Sequence, residues 1–322
     1  MSKAPLVLNL KEIRKLLAGA DLFKDMMKGF VAFSTGEAVI PPVGELLIPE
    51  HEGEVHIKYG YLESYPYYVV KIASGFYENA KLGLPTGNGL MLLFDKSNGQ
   101  LRCILQDEGY LTDVRTAVAG ALSVATIAPK FMKKVGIVGT GIQAHLQLEY
   151  LAKKWEIEAA YVWGRTKEKT HAYPEELAHL SFPIYPTETI KDLCQYADII
   201  ITTTPSKEVL IMSDWIHEPK LILAIGSDTP EKGELDPALY KKTGLAVVDS
   251  LAQSQSRGEL FQARKRGFIS DDSIVEFGDL LTYSRAGHIG KQGIIIVDLT
   301  GIAVQDLMIA KAVYELAEQR TS

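Results

Sequence analysis

Gly139-Thr140-Gly141 closes a short apolar run, Val135 to Val138, and a helical pattern follows in which Ala144, Leu148 and Leu151 share one face. Strand, tight turn and helix in that order can hold an anion. The first glycine permits the turn, the second lets backbone approach a pyrophosphate, and the helix N-terminus faces its charge. Ala144 stands at the third position of this fingerprint, where a small residue allows close packing of strand on helix. Alone, this spacing is usually an ordinary turn; the alternating strands and helices that follow favour a dinucleotide. At the end of the next strand the chain reads Tyr161-Val162-Trp163-Gly164-Arg165-Thr166-Lys167, with no Asp or Glu for the ribose hydroxyls. Arg165 can fork onto a 2′-phosphate and Thr166 can donate to it, which favours NADP(H) over NAD(H). The alternative is an Arg165 that only stands in solvent at the strand end.

Three further charges stand where charge is unusual. Lys71 lies within the apolar run Val69-Val70-Lys71-Ile72-Ala73, although a lone strand lysine commonly faces solvent. Arg115, in Leu111-Thr112-Asp113-Val114-Arg115-Thr116, is expected to open a helix, where a cation opposes the helix dipole; an ion pair with Asp113 or Asp107 is the structural alternative. Asp228 follows the apolar strand Leu221 to Ile225, at the carboxyl edge where doubly wound sheets bind ligands, and it could equally be a turn former or N-cap.

The elements expected to carry these residues fall into two groups. A helical period runs from Ile13 to about Ala38, ended by Pro41 and Pro42, and alternation then marks strands at Val55 to Tyr61, Tyr67 to Ser74, Leu90 to Phe94 and Leu101 to Leu105. Asn98-Gly99 between the last two is a hairpin signal. A small-residue helix, RTAVAGALSVATIA, stops near Pro129. Beyond it, strands at Val135 to Val138, Ala160 to Trp163, Ile199 to Thr202, Leu221 to Ile225 and Leu245 to Val248 alternate with helices, the pattern of a parallel sheet covered on both faces. A late apolar run, Ile294 to Val297, leads to a final helix, Ile302 to Glu318, apolar on several faces. The expected fold is therefore α/β: a Rossmann-type doubly wound parallel sheet domain, residues 129–301, plus an antiparallel-sheet domain, residues 1–128, joined by the C-terminal helix 302–322.

The 322 residues are 47% hydrophobic with a formal charge of −6, which suits two globular domains and offers no basic surface for nucleic acid. No run approaches the length needed to span a bilayer, and the N-terminus lacks the pattern of a signal peptide, so a cytoplasmic protein without a membrane partner is expected. Cys103 and Cys194 cannot form a disulfide framework. The seven histidines, His51, His56, His145, His171, His179, His217 and His288, never fall at metal-ligand spacing, and no metal is expected.

Six ordered blocks, GLPTGNGLMLLFD, DEGYLTDVRTAVAGALS, GIVGTGIQAHLQL, ADIIITTTPS, AIGSDTPEKGELD and VDLTGIAVQDLMIAK, resemble the ornithine cyclodeaminase/mu-crystallin family. The resemblance covers the chain from about Pro41 to the last helix. It implies a homodimer in which the antiparallel sheet, joined by the C-terminal helix, builds the substrate site and pairs with its twin, Leu90 to Leu105 belonging to a shared sheet. A monomer with a covered sheet edge is the alternative. It assigns Lys71 to the substrate carboxylate and to proton relay, Arg115 to that carboxylate and the cofactor phosphates, and Asp228 to acid/base work beside the substrate nitrogen. Thr203 and Thr204 would contact the cofactor, as would Thr86, Ile142, Gln143, Lys232 and Thr300 at less secure matches. Two departures stand out. Val43 occupies a position where many members carry a cation, for which Lys58 or His56 could substitute, and Leu299 replaces a small polar residue.

The family implies chemistry at the bond between the α-carbon and nitrogen of a small amino or imino acid. The reading favoured by Arg165 is an NADPH-dependent reductase of a ketimine or imino acid. The alternatives are an ornithine cyclodeaminase, a related amino acid dehydrogenase, and a small-ligand binding protein of mu-crystallin type.

Overall fold

The computed structural model describes residues 4–217, 219–282 and 293–321; His288 lies outside them. In chain order the elements begin with β1 (Leu6–Asn9), α1 (Leu10–Leu17), α2 (Phe23–Ser34), β2 (Ala38–Val39), β3 (Gly44–Ile48) and β4 (Gly53–Leu62). They continue with β5 (Tyr67–Phe76), β6 (Gly87–Asp95), β7 (Leu101–Gln106), α3 (Tyr110–Ile127), β8 (Lys134–Val138), α4 (Ile142–Ala152), β9 (Ala159–Trp163) and α5 (Lys167–Glu176). The remainder are β10 (Ile184–Pro186), α6 (Ile190–Tyr196), β11 (Ile199–Thr202), β12 (Lys220–Ala224), β13 (Thr243–Val248), α7 (Glu259–Lys265), β14 (Ile274–Glu276), α8 (Phe277–Thr282), β15 (Ile294–Asp298) and α9 (Ala303–Thr321). The chain divides into two units, Met1–Arg115 with Ile302–Ser322, and Thr116–Gly301. The division falls inside α3, after Arg115, and not at the end of that helix near residue 128 where the sequence suggested it.

In the first unit a seven-stranded sheet runs β1-β7-β6-β5-β4-β2, with β3 also on β4. The hairpin of β6 and β7 turns at Asn98-Gly99, Gly99 taking a φ of 74°. The single helix expected from Ile13 to Ala38 is two. A capping box, Asn9 with Glu12, starts α1 at Leu10, and Gly19 at a φ of 83° lies between α1 and α2.

The two faces of this sheet depart from simple alternation: the buried face sets His56, Lys58 and Lys71 among apolar residues, and the outer face is itself apolar in part. On β4, His56, Lys58 and Leu62 are buried, while Ile57 and Tyr59 between them are exposed. Lys58 lies directly opposite Lys71 of β5. The outer face carries Leu46, Ile57 and Tyr59, with half-buried Val70, Ile72, Leu90, Leu92 and Ile104. The inner face, where Lys58 and Lys71 stand among Leu62, Val69, Met91, Leu93 and Leu105, is covered by α9, which packs on β4, β5 and β6 and also against α2. Gly29 makes that helix crossing close: a Cβ there would stand 2.7 Å from Val304 Cγ1 and Met308 Cγ.

In the second unit eight parallel strands run β10-β9-β8-β11-β12-β15-β13-β14. Strands β11, β12 and β15 are buried throughout, as expected of strands covered on both faces. Chain order reverses at β8, which has β9 on one side and β11 on the other, and this is the crevice where open α/β sheets bind ligands.

Candidate active site

Lys71, only 2% exposed, places Nζ 3.1 Å from Asp306 of α9, and Arg115 Nε lies 3.1 Å from Asp306 Oδ1. Asp306 is fully buried, and Arg115 also donates to Gln305 Oε1. A carboxylate between two buried cations meets a physical need, because each unpaired charge would carry a desolvation cost of several kcal/mol. Sequence spacing did not find Asp306, although a lone carboxylate among Val304, Leu307 and Met308 was a signal of the same kind as Lys71. Lys58 is buried beside this group, and His56 Nε2 lies 3.1 Å from Glu45 Oε1.

For Arg115 the expected place at the helix start fails, and the alternative of an ion pair within the chain holds with another partner. It does not open its helix: Asp107 accepts from the Leu111 amide at 2.8 Å through Oδ2 and from the Tyr110 amide through its carbonyl, so α3 starts at Tyr110 and the dipole argument does not apply. Arg115 does form an ion pair within the chain, with Asp306 and not with Asp113 or Asp107. Burial pushes the Asp107 carboxyl up to about 6. Asp107 Oδ1 and Gln305 Nε2 are buried without a hydrogen-bond partner among the described residues, which leaves polar capacity for a ligand at this cluster.

In the second unit the glycine turn closes β8. Gly139 has a φ of 125°, and a Cβ there would stand 2.5 Å from Thr203 Oγ1. Gly141 is extended, and open space lies where its Cβ would be. No side chain caps α4 at Gly141, and the positive end of a helix dipole there suits an anion. Ile142 is exposed, Gln143 is half-buried, and fully buried Ala144 accepts from the Tyr173 hydroxyl at 2.7 Å. Arg165 and Thr166 are exposed just past β9, and a Cβ on Gly164 would stand 2.6 Å from Thr140 Cγ2, so that strand end abuts the turn. These features fit a dinucleotide on the chain's own geometry.

Asp228 is one-third exposed, with Oδ1 2.8 Å from Nζ of buried Lys232. Its carbonyl accepts from Arg257, and Ser227 Oγ donates to the Lys232 carbonyl at 2.9 Å. Thr203 donates its hydroxyl to the Val138 carbonyl, Thr204 to Glu234 and Thr300 to Asp249. Those hydroxyl protons are engaged, so any cofactor contact there falls to lone pairs or backbone. Thr86 is exposed in the first unit, its carbonyl accepting from the Phe76 amide.

The sequence model of the ornithine cyclodeaminase/mu-crystallin family matches residues 3–321. The chain belongs to this family. Among family relatives, an uncharacterized cyclodeaminase of Sinorhizobium fredii (strain NBRC 101917 / NGR234) is 35% identical over 97% of this chain and 95% of its own. The iminosuccinate reductase of Paracoccus denitrificans (strain Pd 1222) is 31% identical over 98% and 97%. The solved structure of Thermococcus litoralis Delta(1)-pyrroline-2-carboxylate reductase in complex with NADH and L-proline superposes with a TM-score of 0.92 at 26% identity, covering 98% of each chain. No helix among the described residues is long and apolar enough to cross a membrane, and they contain no acidic, His or Cys group suited to a metal ion.

Proposed function

We propose that this family member is an NADPH-dependent reductase of a ketimine or imino acid. The observation that carries the reading is the buried cluster of Lys71 and Arg115 around Asp306, two cations sharing one carboxylate, beside a third cation, Lys58. Such a cluster suits a small substrate carboxylate, with Lys58 in place of the cation absent at Val43. Family relatives that reduce iminosuccinate and pyrroline-2-carboxylate support the same chemistry.

A bound nicotinamide supplies hydride to the imine carbon. The chain's residues do the rest: Arg115 and Lys71 fix the carboxylate, and Asp228 holds a proton at the imine nitrogen, so that C=N gains one hydride at carbon and one proton at nitrogen. Gly139, Gly141 and the first amides of α4 would hold the pyrophosphate. Arg165 and Thr166 would hold the 2′-phosphate, which is the basis for preferring NADPH. Thr203, Thr204 and Thr300 would contact the cofactor through lone pairs or backbone, and Lys232 through its ammonium or backbone.

The test is NADPH and NADH consumption with a panel of cyclic and acyclic imines, alongside ammonia release from ornithine. NADPH-dependent loss of imine is expected, and Arg165→Ala is expected to remove the preference for NADPH. Ammonia release without net cofactor oxidation would establish cyclodeamination instead. A wild type that favours NADH would overturn the role given to Arg165.

A further inference from the structure

We propose that Glu234, which need not touch substrate or cofactor, is a positioning residue that sets Asp228 for proton transfer; this rests on the reductase reading above. Glu234 is fully buried. Its Oε1 accepts from both the amide and the hydroxyl of Thr204, each at 2.7 Å, and its Oε2 accepts from the Gly226 amide at 3.1 Å. One carboxylate thus ties the residues that follow β11 to those that follow β12. Asp228 is two residues beyond Gly226.

The approach is too close for any other residue at 226, since a Cβ there would collide with the Thr204 carbonyl and stand 2.5 Å from Glu234 Oε2. Glu234 is itself held from behind. Glu259, at the start of α7, accepts from the Glu234 amide at 2.6 Å and the Leu235 amide at 3.2 Å. Asp298, at the end of β15, accepts from the Leu260 amide at 2.8 Å. Two buried carboxylates, Glu234 and Glu259, therefore anchor the segment from Gly226 to Leu235, and a third, Asp298, holds the start of α7 behind them, none with an ion pair of its own among the described residues. Burying a carboxyl group is costly unless its oxygens are hydrogen-bonded, and here backbone amides supply the donors. Among the segment's other ties, Arg257 donates to the Asp228 carbonyl and Gln262 to the Pro230 carbonyl at 2.7 Å.

Glu234→Gln keeps the shape and replaces one acceptor by an NH2 group. If its oxygen serves Thr204, its nitrogen faces the Gly226 amide, donor against donor, and only the arm that reaches Asp228 is broken. In full-length protein that retains the wild-type far-ultraviolet spectrum, Glu234→Gln is expected to lower kcat on the best imine at least 10-fold. KM for the imine and the NADPH dissociation constant should stay within threefold, and the peptide containing Gly226 should exchange its amide hydrogens faster. An unchanged kcat overturns the proposal. So does a loss shared equally by kcat, KM and NADPH binding, which marks a merely structural residue. If wild type reduces no imine, the reductase reading fails on its own; hydrogen exchange then decides the clamp, faster exchange at Gly226 supporting it and unchanged exchange overturning it.

Discussion

Replacing Asp306 by Asn would leave Lys71 and Arg115 buried without the carboxylate between them. Breaking a buried ion pair from one side costs about 3–5 kcal/mol, and urea denaturation of Asp306→Asn should show a loss of that size. Asp228→Asn should act on rate, lowering kcat about 100-fold, the range general acid catalysis commonly contributes, with KM little changed. Arg115→Ala should chiefly raise KM for the imine. Steady-state kinetics on the best imine separate the two; an Asp228→Asn enzyme as fast as wild type would make Asp228 a turn residue and Lys71 the leading proton donor. Lys71 was legible in the sequence because a charge inside an apolar strand contradicts its surroundings. Its partner was not, because Asp306 lies 235 positions along the chain and spacing rules reach only within an element. Glu234 escaped for a related reason: its work is to accept from backbone amides, which carry no sequence signal.

At the scale of elements, the glycine turn, the late parallel strands and the hairpin at Gly99 were readable, since each follows from a local rule: turn geometry, an apolar run, or a positive φ. The short strands β1, β2 and β3 were not, being two to five residues long with no period to detect. The start of α3 was misplaced because its N-terminal bonds come from Asp107, ahead of the small-residue run. The segment from Gly226 to Leu235 also gives a pH dependence. Burial lifts the carboxyls of Glu234 and Asp298 to about 7 and that of Glu259 well above its ordinary value, with Glu259, Asp298 and Asp249 the charged neighbours. A carboxyl whose pKa is higher in the folded chain favours folding while protonated. Its contribution is full below about 4.5 and is lost as pH rises through about 7. Glu234→Gln cannot ionise, so its melting temperature relative to wild type should rise between pH 5 and pH 8. Calorimetry that returns a constant difference would mean Glu234 titrates alike in both states.

For the whole molecule, the outward apolar face of β3 to β7 predicts a homodimer. Leu46 at 59% and Ile57 at 38% exposure are unlike the solvent face of a free sheet, and patches of that kind mark association sites. Light scattering at micromolar concentration should return twice the monomer mass, and Ile57→Glu should shift it towards monomer; a monomeric wild type would remove the idea. The capture of α9 by the first unit has a consequence for how the protein is made. Ribosomes deliver chains from the N-terminus, and a domain usually folds once it has emerged. Here the first 115 residues emerge early but wait for some two hundred more before α9 arrives with Asp306 and covers the inner face. During that interval Arg115, on α3, lacks its carboxylate partner, and Lys71 belongs to an unfinished sheet with one apolar face and one lysine-bearing face, both uncovered. The second unit, contiguous in the chain, has no such wait, so during synthesis the later-made part is positioned to finish first.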